Sequence, residues 1–222
     1  MTNKSKSQLW SDWGRQEDGR QSAPAATRNR DAILEVLKQE LPDSGTILEI
    51  AAGTGEHAVY FAPQFPHLSW QSTDYEDDKI ESITAWQKHS PSANLLKPET
   101  LDASADIWPV ETHQPAAPIT AILCVNMIHI APWSATLGLF AGAGRVLPVG
   151  GKLILYGPFK KNAQHTAPSN DAFDKKLKSR DPSWGIRDLA DLDQLASAQK
   201  FSGHREYAMP ANNYTVVWEK GA

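Results

Sequence analysis

With 222 residues, 41% of them hydrophobic and 22% charged, the chain is long enough to bury a core and reads as one ordered α/β domain. Its formal net charge of -4 argues against the basic face that non-specific nucleic-acid binding requires. The single cysteine, Cys124, excludes an internal disulfide framework and any cysteine-rich zinc site, and no metal site is expected.

The first residues, MTNKSKSQ, are polar and lack the apolar stretch of a signal peptide. No run approaches the roughly 20 apolar residues of a membrane span, so a soluble, cytoplasmic protein is expected. Residues 1–26 read as an irregular arm in which Trp10 and Trp13 are poised to dock on the body, and residues 27–222 read as the domain itself. A helix is predicted from Thr27, where Ile33, Leu34, Leu37 and Leu41 share a face and Pro42 closes it. Residues 46–51 form the first strand, apolar throughout except for Glu49, as expected of a parallel strand covered on both faces.

A short helix is predicted over 56–65, a second strand over 67–73 ending at Asp74, a helix over 77–88 and a weak third strand over 94–97. Residues 119–130 are the longest apolar run and read as the fourth strand, with Cys124 a buried, inert thiol inside it. A helix over 133–147, a turn at 148–151 (PVGG) and a fifth strand over 152–156 follow. The polar excursion 157–187 is long enough to be functional, and is expected to act as a lid or substrate-binding insertion. Asp188 caps a last helix, and strands over 204–209 and 214–219 form a terminal hairpin across Pro210 to Asn213.

Alternating strands and helices specify a doubly wound, mostly parallel sheet, and the terminal hairpin forces one strand to run antiparallel. Such sheets bind ligands beyond the carboxyl ends of their strands. There the stretch ILEIAAGTGEHA, residues 47–58, reads as strand, tight turn and helix start, presenting backbone N–H groups to a cofactor. Read literally, Gly53, Gly55 and Ala58 satisfy the dinucleotide pattern G-x-G-x-x-G/A, so a nicotinamide dinucleotide and S-adenosylmethionine both fit this turn. Asp74 follows at a spacing suited to a ribose and does not discriminate between them.

The strand order with its final hairpin resembles the seven-stranded fold of class I S-adenosylmethionine-dependent methyltransferases. That resemblance implies S-adenosylmethionine as cofactor, with Glu49, Ala51, Gly53 and Gly55 at the first strand and Asp74 and Tyr75 at the second. It further implies Leu101 and Asp102 at the adenine, and Asn126 and Met127 beside the transferred methyl. An acid at Glu49 would order the glycine turn; a structural salt bridge is the other reading of that residue. Residues 126–130 (NMIHI) are not the Asn/Asp-Pro-Pro-aromatic motif of enzymes that methylate exocyclic amines of bases. Residues 25–31 (AATRNRD), 156–159 (YGPF) and 180–188 (RDPSWGIRD) are similar to the methyltransferase-like 26 family, which implies the same fold and no particular substrate.

Methyl transfer from a sulfonium is a displacement that requires alignment more than acid–base groups. His129 is the candidate general base, titrating near neutrality; the alternative is a histidine tied to the sheet edge by a backbone hydrogen bond. Tyr156, Phe159, Asn162, His165, Asn170, Phe173, Trp184 and Arg187 are the candidate acceptor-binding residues. Arg180 and Arg187 either clamp an acidic substrate or pair with Asp181 and Asp188, and Lys175, Lys176 and Lys178 read as a solvated helix face. Arg28 and Arg30 are candidates for the carboxylate of the methionine moiety. The expected function is methyl transfer to a small molecule. A catalytically silent S-adenosylmethionine-binding scaffold and an NAD-dependent oxidoreductase are the alternatives.

Overall fold

A computed structural model describes residues 14–222; Trp10 and Trp13, expected to dock on the body, lie outside the described residues. The remainder of the expected arm is not irregular. β1 (Gly14–Arg15) and β2 (Gln21–Ser22) pair as a small hairpin, and helix α1 (Pro24–Glu40) starts at a proline, three residues earlier than the apolar stripe suggested. Proline suits the first helical turn because its missing N–H has no intrahelical partner there.

Next come β3 (Thr46–Ile50), α2 (Glu56–Phe61), β4 (Ser69–Asp74) and α3 (Asp77–His89). They are followed by β5 (Glu99–Thr100), α4 (Pro109–Thr112), β6 (Ile119–Val125), α5 (Trp133–Val146) and β7 (Lys152–Gly157). The chain continues through β8 (Lys160–Lys161), β9 (Gln164–His165), α6 (Pro168–Arg180) and α7 (Leu189–Ala198), and ends with β10 (Arg205–Met209) and β11 (Asn213–Glu219). The main sheet has seven strands in the order β10-β11-β7-β6-β3-β4-β5. Strands β3 to β7 of this sheet run parallel, and β11 is antiparallel to both β7 and β10, as the terminal hairpin required.

Every residue of β3 is buried, and alternate side chains enter opposite layers of core. Ile47 joins Ile33, Leu37, Phe61 and Trp70 under α1 and α2. Leu48 and Ile50 join Leu139, Phe140, Leu192 and Trp218 under α5 and α7. This two-sided burial explains why the strand is apolar throughout apart from Glu49.

Three predicted boundaries moved, each for a local reason. The third strand forms at 99–100 rather than 94–97, where only a bridge between Trp70 and Leu95 forms. Pro98 supplies no N–H to the ladder, which resumes when Leu101 N–H donates to the Asp74 carbonyl at 2.9 Å. The apolar run after Val125 is not strand, because Asn126 turns into the left-handed region at φ 63° and a single 3-10 turn, Met127–His129, follows. The helix expected over 56–65 ends at Phe61, with a 3-10 turn at Ala62–Gln64 around Pro63.

The excursion 157–187 is largely regular, since it contains β8, β9 and α6. On α6, Lys175 pairs with Asp171 and Lys178 with Asp174 at i,i+4 spacing, the solvated-face arrangement read from its charges.

Candidate functional site

The turn after β3 is built on backbone that most side chains avoid. Ala51, Gly53 and Gly55 have φ of 54°, 60° and 91°. A Cβ on Gly55 would stand 2.8 Å from Ile83 Cα, so this glycine lets the turn press against α3. Gly53 N–H donates to Asp74 Oδ2 at 2.9 Å, while Asp74 Oδ1 accepts from Glu76 N–H at 3.1 Å. Burial raises the Asp74 carboxyl to about 6, and these N–H donors offset part of the rise.

Glu49 lies beneath the turn. Its Oε2 accepts from Trp70 Nε1–H at 2.8 Å and Ser72 O–H at 3.3 Å, so its partners are neutral donors and not the cation a salt bridge needs. Burial lifts its pKa to about 7 despite those donors, and the Asp74 charge adds to the rise. Leu101 is buried beside Asp74, whereas Tyr75 is half-exposed and donates its hydroxyl to Glu76. Asp102 is exposed, and its Oδ1 accepts from both the N–H and O–H of Ser104 in a local turn.

A second group gathers beyond β6 and β7. Asn126 N–H donates to the Tyr156 carbonyl at 2.8 Å, and Met127 is buried behind it. His129 is 1% exposed and packs edge-on against Phe159 at 5.2 Å. Its carbonyl accepts from Gly185 N–H, its Nδ1 accepts from Arg187 N–H at 3.4 Å, and its Nε2 is buried without a partner. Burial, aided by the Arg187 charge, drops its pKa to about 3, so the expected titration near neutrality is corrected.

Arg187 takes a role that neither reading offered. Its guanidinium donates to the carbonyls of Ile128, Ala131 and Ser183, and stacks over Trp133 at 5.3 Å. It therefore staples the excursion to the β6–α5 loop through backbone carbonyls. Three other acceptor-binding candidates are also committed to packing. Phe159 is fully buried, Trp184 packs with Leu177 and Ile186, and buried Asn170 donates to Thr166 Oγ1 and the Asn212 carbonyl. Asn162 and Phe173 are exposed on β8–β9 and α6, and His165 stands 3.4 Å from Asp174. Among the described residues, no hydrogen bond, ion pair or ring contact joins these last residues to Tyr156.

Arg30 stacks over Tyr60 at 4.3 Å, and its buried Nε makes no hydrogen bond but stands 3.9 Å from Asp31 Oδ1. Beside it is a group that the motif reading passed over. His57 Nε2 is 2.8 Å from Asn29 Oδ1, and Asn29, His57 and Tyr156 are all buried. Burial and the nearby Arg30 hold His57 at about 4, hence neutral. Glu56, also buried, accepts from Ala23 N–H and Thr54 O–H, tying the start of α1 to the glycine turn. The signal for Asn29 was its place in the buried stripe of α1 with Ala26, Ile33 and Leu37, where a carboxamide needs a partner.

A seven-stranded sheet in this order, with its glycine turn bonded to an acid at the end of the neighbouring strand, is the fold of class I S-adenosylmethionine-dependent methyltransferases. The chain itself belongs to the family described as "Protein of unknown function (DUF938)", whose model matches residues 20–220. Among solved structures it is similar to human N-acetylserotonin methyltransferase in complex with SAM, at TM-score 0.70 and 14% identity over 89% of this chain and 53% of that one. It is also similar to an O-methyltransferase family 2 protein from Planctomyces limnophilus in complex with apigenin, at TM-score 0.71 and 17% identity over 88% and 57%. A methyltransferase of calicheamicin biosynthesis, in its SAH-bound form, matches at TM-score 0.67 and 15% identity over 89% and 54%. The chain thus spans a little over half the length of these structures. Among the described residues no helix is long and apolar enough to cross a membrane.

Proposed function

We propose that the chain is an S-adenosylmethionine-dependent methyltransferase acting on a small-molecule acceptor. The observation that carries this reading is the bond between Gly53 N–H and the buried Asp74 carboxylate at adjoining carboxyl ends of β3 and β4. It supports reading the pair as a close-approach turn beside an acid that accepts the ribose hydroxyls, near the switch region of the sheet. The reading is supported by the SAM, SAH and apigenin named in the structures above, which are ligands of those proteins.

In this reading the glycine turn and Leu101 border the adenosine, Asp74 accepts the ribose hydroxyls, and Glu49 holds the turn from below. Arg30, whose buried Nε–H makes no hydrogen bond and lies 3.9 Å from Asp31 Oδ1, is the cation for the methionine carboxylate. When bound, S-adenosylmethionine supplies an electrophilic methyl on a sulfonium. Asn126 and Met127 border the transfer site, and the segment 157–187 closes the acceptor side. His129 acts by position, because at a pKa of about 3 its proton-accepting strength is slight.

That same histidine favours a second reading, a cofactor-binding protein without turnover, since it removes the candidate general base. Calorimetric titration with S-adenosylmethionine, S-adenosylhomocysteine and NAD tests the cofactor. Saturable binding of both sulfur ligands and none of NAD is expected, followed by methyl incorporation in an acceptor screen. Binding of NAD alone refutes the reading.

A further inference from the structure

Thr54 stands between the two glycines of the turn and is buried, so both of its oxygens need partners inside the protein. Its carbonyl accepts from the Ser82 hydroxyl at 2.8 Å, and its own hydroxyl donates to Glu56 Oε2 at 3.0 Å. Each of these partners has a second donor, and both second donors belong to the chain ahead of α1. Ser82 Oγ accepts from Gln21 N–H at 2.8 Å, and Glu56 Oε2 accepts from Ala23 N–H at 2.6 Å. Two relays therefore run from residues 21 and 23 to the single residue between Gly53 and Gly55. Gln21, Thr54, Glu56 and Ser82 are all buried, where a lost partner leaves a costly gap.

The direction of each relay follows from its chemistry. A backbone N–H only donates and a carbonyl only accepts, so the one Ser82 proton points at Thr54. Glu56 Oε2 gathers one donor from the turn and one from the segment ahead of α1, and the two together fix its rotamer. That segment is itself seated on α3. The Gln21 carbonyl accepts from Trp86 Nε1–H at 2.7 Å, Lys79 donates to Gln21 Oε1 at 2.8 Å, and Arg20 stacks over Trp86 at 4.7 Å. The same helix carries Ile83, against which Gly55 is pressed. Strap and glycine turn thus share one support.

We infer that residues 20–23 are a working part of the cofactor site: docked on α3, they set the shape of the turn at 53–55 through Ser82 and Glu56, and their release lowers affinity for S-adenosylmethionine. Ser82 and Glu56 are positioning residues, acting on the cofactor through Thr54. This assignment rests on the methyltransferase reading, in which that turn borders the adenosine. Such coupling is reciprocal, so a cofactor that tightens the turn tightens the strap by the same factor.

The test follows backbone amide exchange in the full chain, without and with saturating S-adenosylhomocysteine, beside calorimetric titration of variants. In wild type the ligand should slow exchange of the Gln21 and Ala23 amides about fivefold, the scale of one neutral hydrogen bond. Ser82→Ala and Glu56→Ala should each weaken S-adenosylhomocysteine by about the same factor. Glu56→Gln, which keeps the accepting oxygen, should retain most of the affinity. Trp86→Phe removes a bond to the strap and keeps a ring for Arg20; it too should weaken the ligand, although the lost bond does not touch the turn.

Unchanged exchange at Gln21 and Ala23 on ligand binding overturns the coupling without recourse to any variant, and leaves the cofactor reading intact. Faster strap exchange in Trp86→Phe or Ser82→Ala with no loss of affinity overturns it as well, and makes residues 20–23 a structural clip. Glu56→Gln as weak as Glu56→Ala overturns the relay through Glu56. A wild-type protein that does not bind S-adenosylhomocysteine defeats the methyltransferase reading, and the coupling falls with it.

Discussion

The Gly53 amide and the Asp74 carboxylate, 21 residues apart in sequence, are joined by a 2.9 Å hydrogen bond that ties the turn after β3 to the end of β4. The same carboxylate accepts from Glu76 N–H, so one acid orders the backbone on both sides of the strand end. Replacing Asp74 with Ala strands both half-buried donors and should destabilise the fold by about 1–2 kcal/mol in urea unfolding. It should also reduce S-adenosylmethionine affinity by about tenfold or more, since charged hydrogen bonds to the ribose are lost. Unchanged affinity in a folded Asp74→Ala protein would falsify the ribose role.

Glu49 yields a prediction in pH. Its carboxyl, ordinarily at 4.5, sits at about 7 in the folded protein because burial disfavours the charge. The folded state therefore holds the proton more tightly than the unfolded chain. That contribution is fully present below pH 4.5 and is lost as pH rises through 7. Asp74, raised from 3.8 to about 6, acts in the same direction over a lower window. Glu49→Gln keeps a side-chain oxygen for Trp70 but has no proton to lose. The variant should match wild type near pH 5 and exceed it by about 2–3 kcal/mol at pH 8, on the conversion of roughly 1.4 kcal/mol per pKa unit. Parallel stability curves for the two proteins between pH 5 and 8 would rule this out.

How far the sequence carried depends on whether a feature is local. The strand–turn–helix around Gly53 was legible because apolar run, small turn residues and amphipathic start lie within a dozen residues. The terminal hairpin was legible for the same reason. The strand over 94–97 was not, because its partner Trp70 and the missing N–H of Pro98 act together only once the sheet exists. Ile128 and Ile130 follow strand-like neighbours in sequence, yet the left-handed Asn126 redirects them, and apolarity alone does not report φ. Arg187 invited a charge partner by its neighbours Asp181 and Asp188. Its three carbonyl acceptors lie on Ser183 and on the loop after β6, and sequence proximity revealed nothing of the latter. Asn29 was readable in principle, as a polar residue in a buried stripe, but its partner His57 is 28 residues away.

At the opposite edge of the sheet, Glu40 at the end of α1 gathers Lys152 from β7 with Arg205 and Tyr207 from β10. Arg205 donates twice, at 3.0 and 2.7 Å, Lys152 donates at 2.9 Å, and the Tyr207 hydroxyl donates as well. Burial works against the charge, but these donors outweigh it and hold Glu40 at about 2. Its contribution is therefore present above pH 4.5 and is lost only as pH falls through 2. Glu40→Ala leaves Lys152 and Arg205 without their shared carboxylate and should cost about 3 kcal/mol. Because the cluster lies at the amino-terminal edge of β7, S-adenosylhomocysteine affinity per folded molecule should not change. Calorimetry alongside urea unfolding separates the two effects, and a large affinity loss would show that this edge is coupled to the site.

The contact between Gly157 and His129 decides how the histidine acts. A Cβ on Gly157 would lie 2.5 Å from His129 Nε2 and 2.7 Å from Cδ2, closer than side-chain atoms approach one another. The ring has little freedom to yield, since Arg187 N–H binds its Nδ1, Gly185 N–H binds its carbonyl and Phe159 packs against it. Gly157→Ala should therefore cost about 1–3 kcal/mol by overpacking. His129→Ala alone should cost about 2 kcal/mol through lost burial and the space left behind. In the double variant the new methyl enters that space, so the combined loss should fall short of the sum by about 1–2 kcal/mol. A general base facing an open site would be poorly packed, and the two changes would then add. Additive losses in the cycle, with a pH–rate profile that shows a pKa near 6.5 and loses it in His129→Ala, would restore the histidine as a base. Coupled losses with a flat profile from pH 6 to 8 identify it as the wedge that holds the end of β7 against the loop after β6.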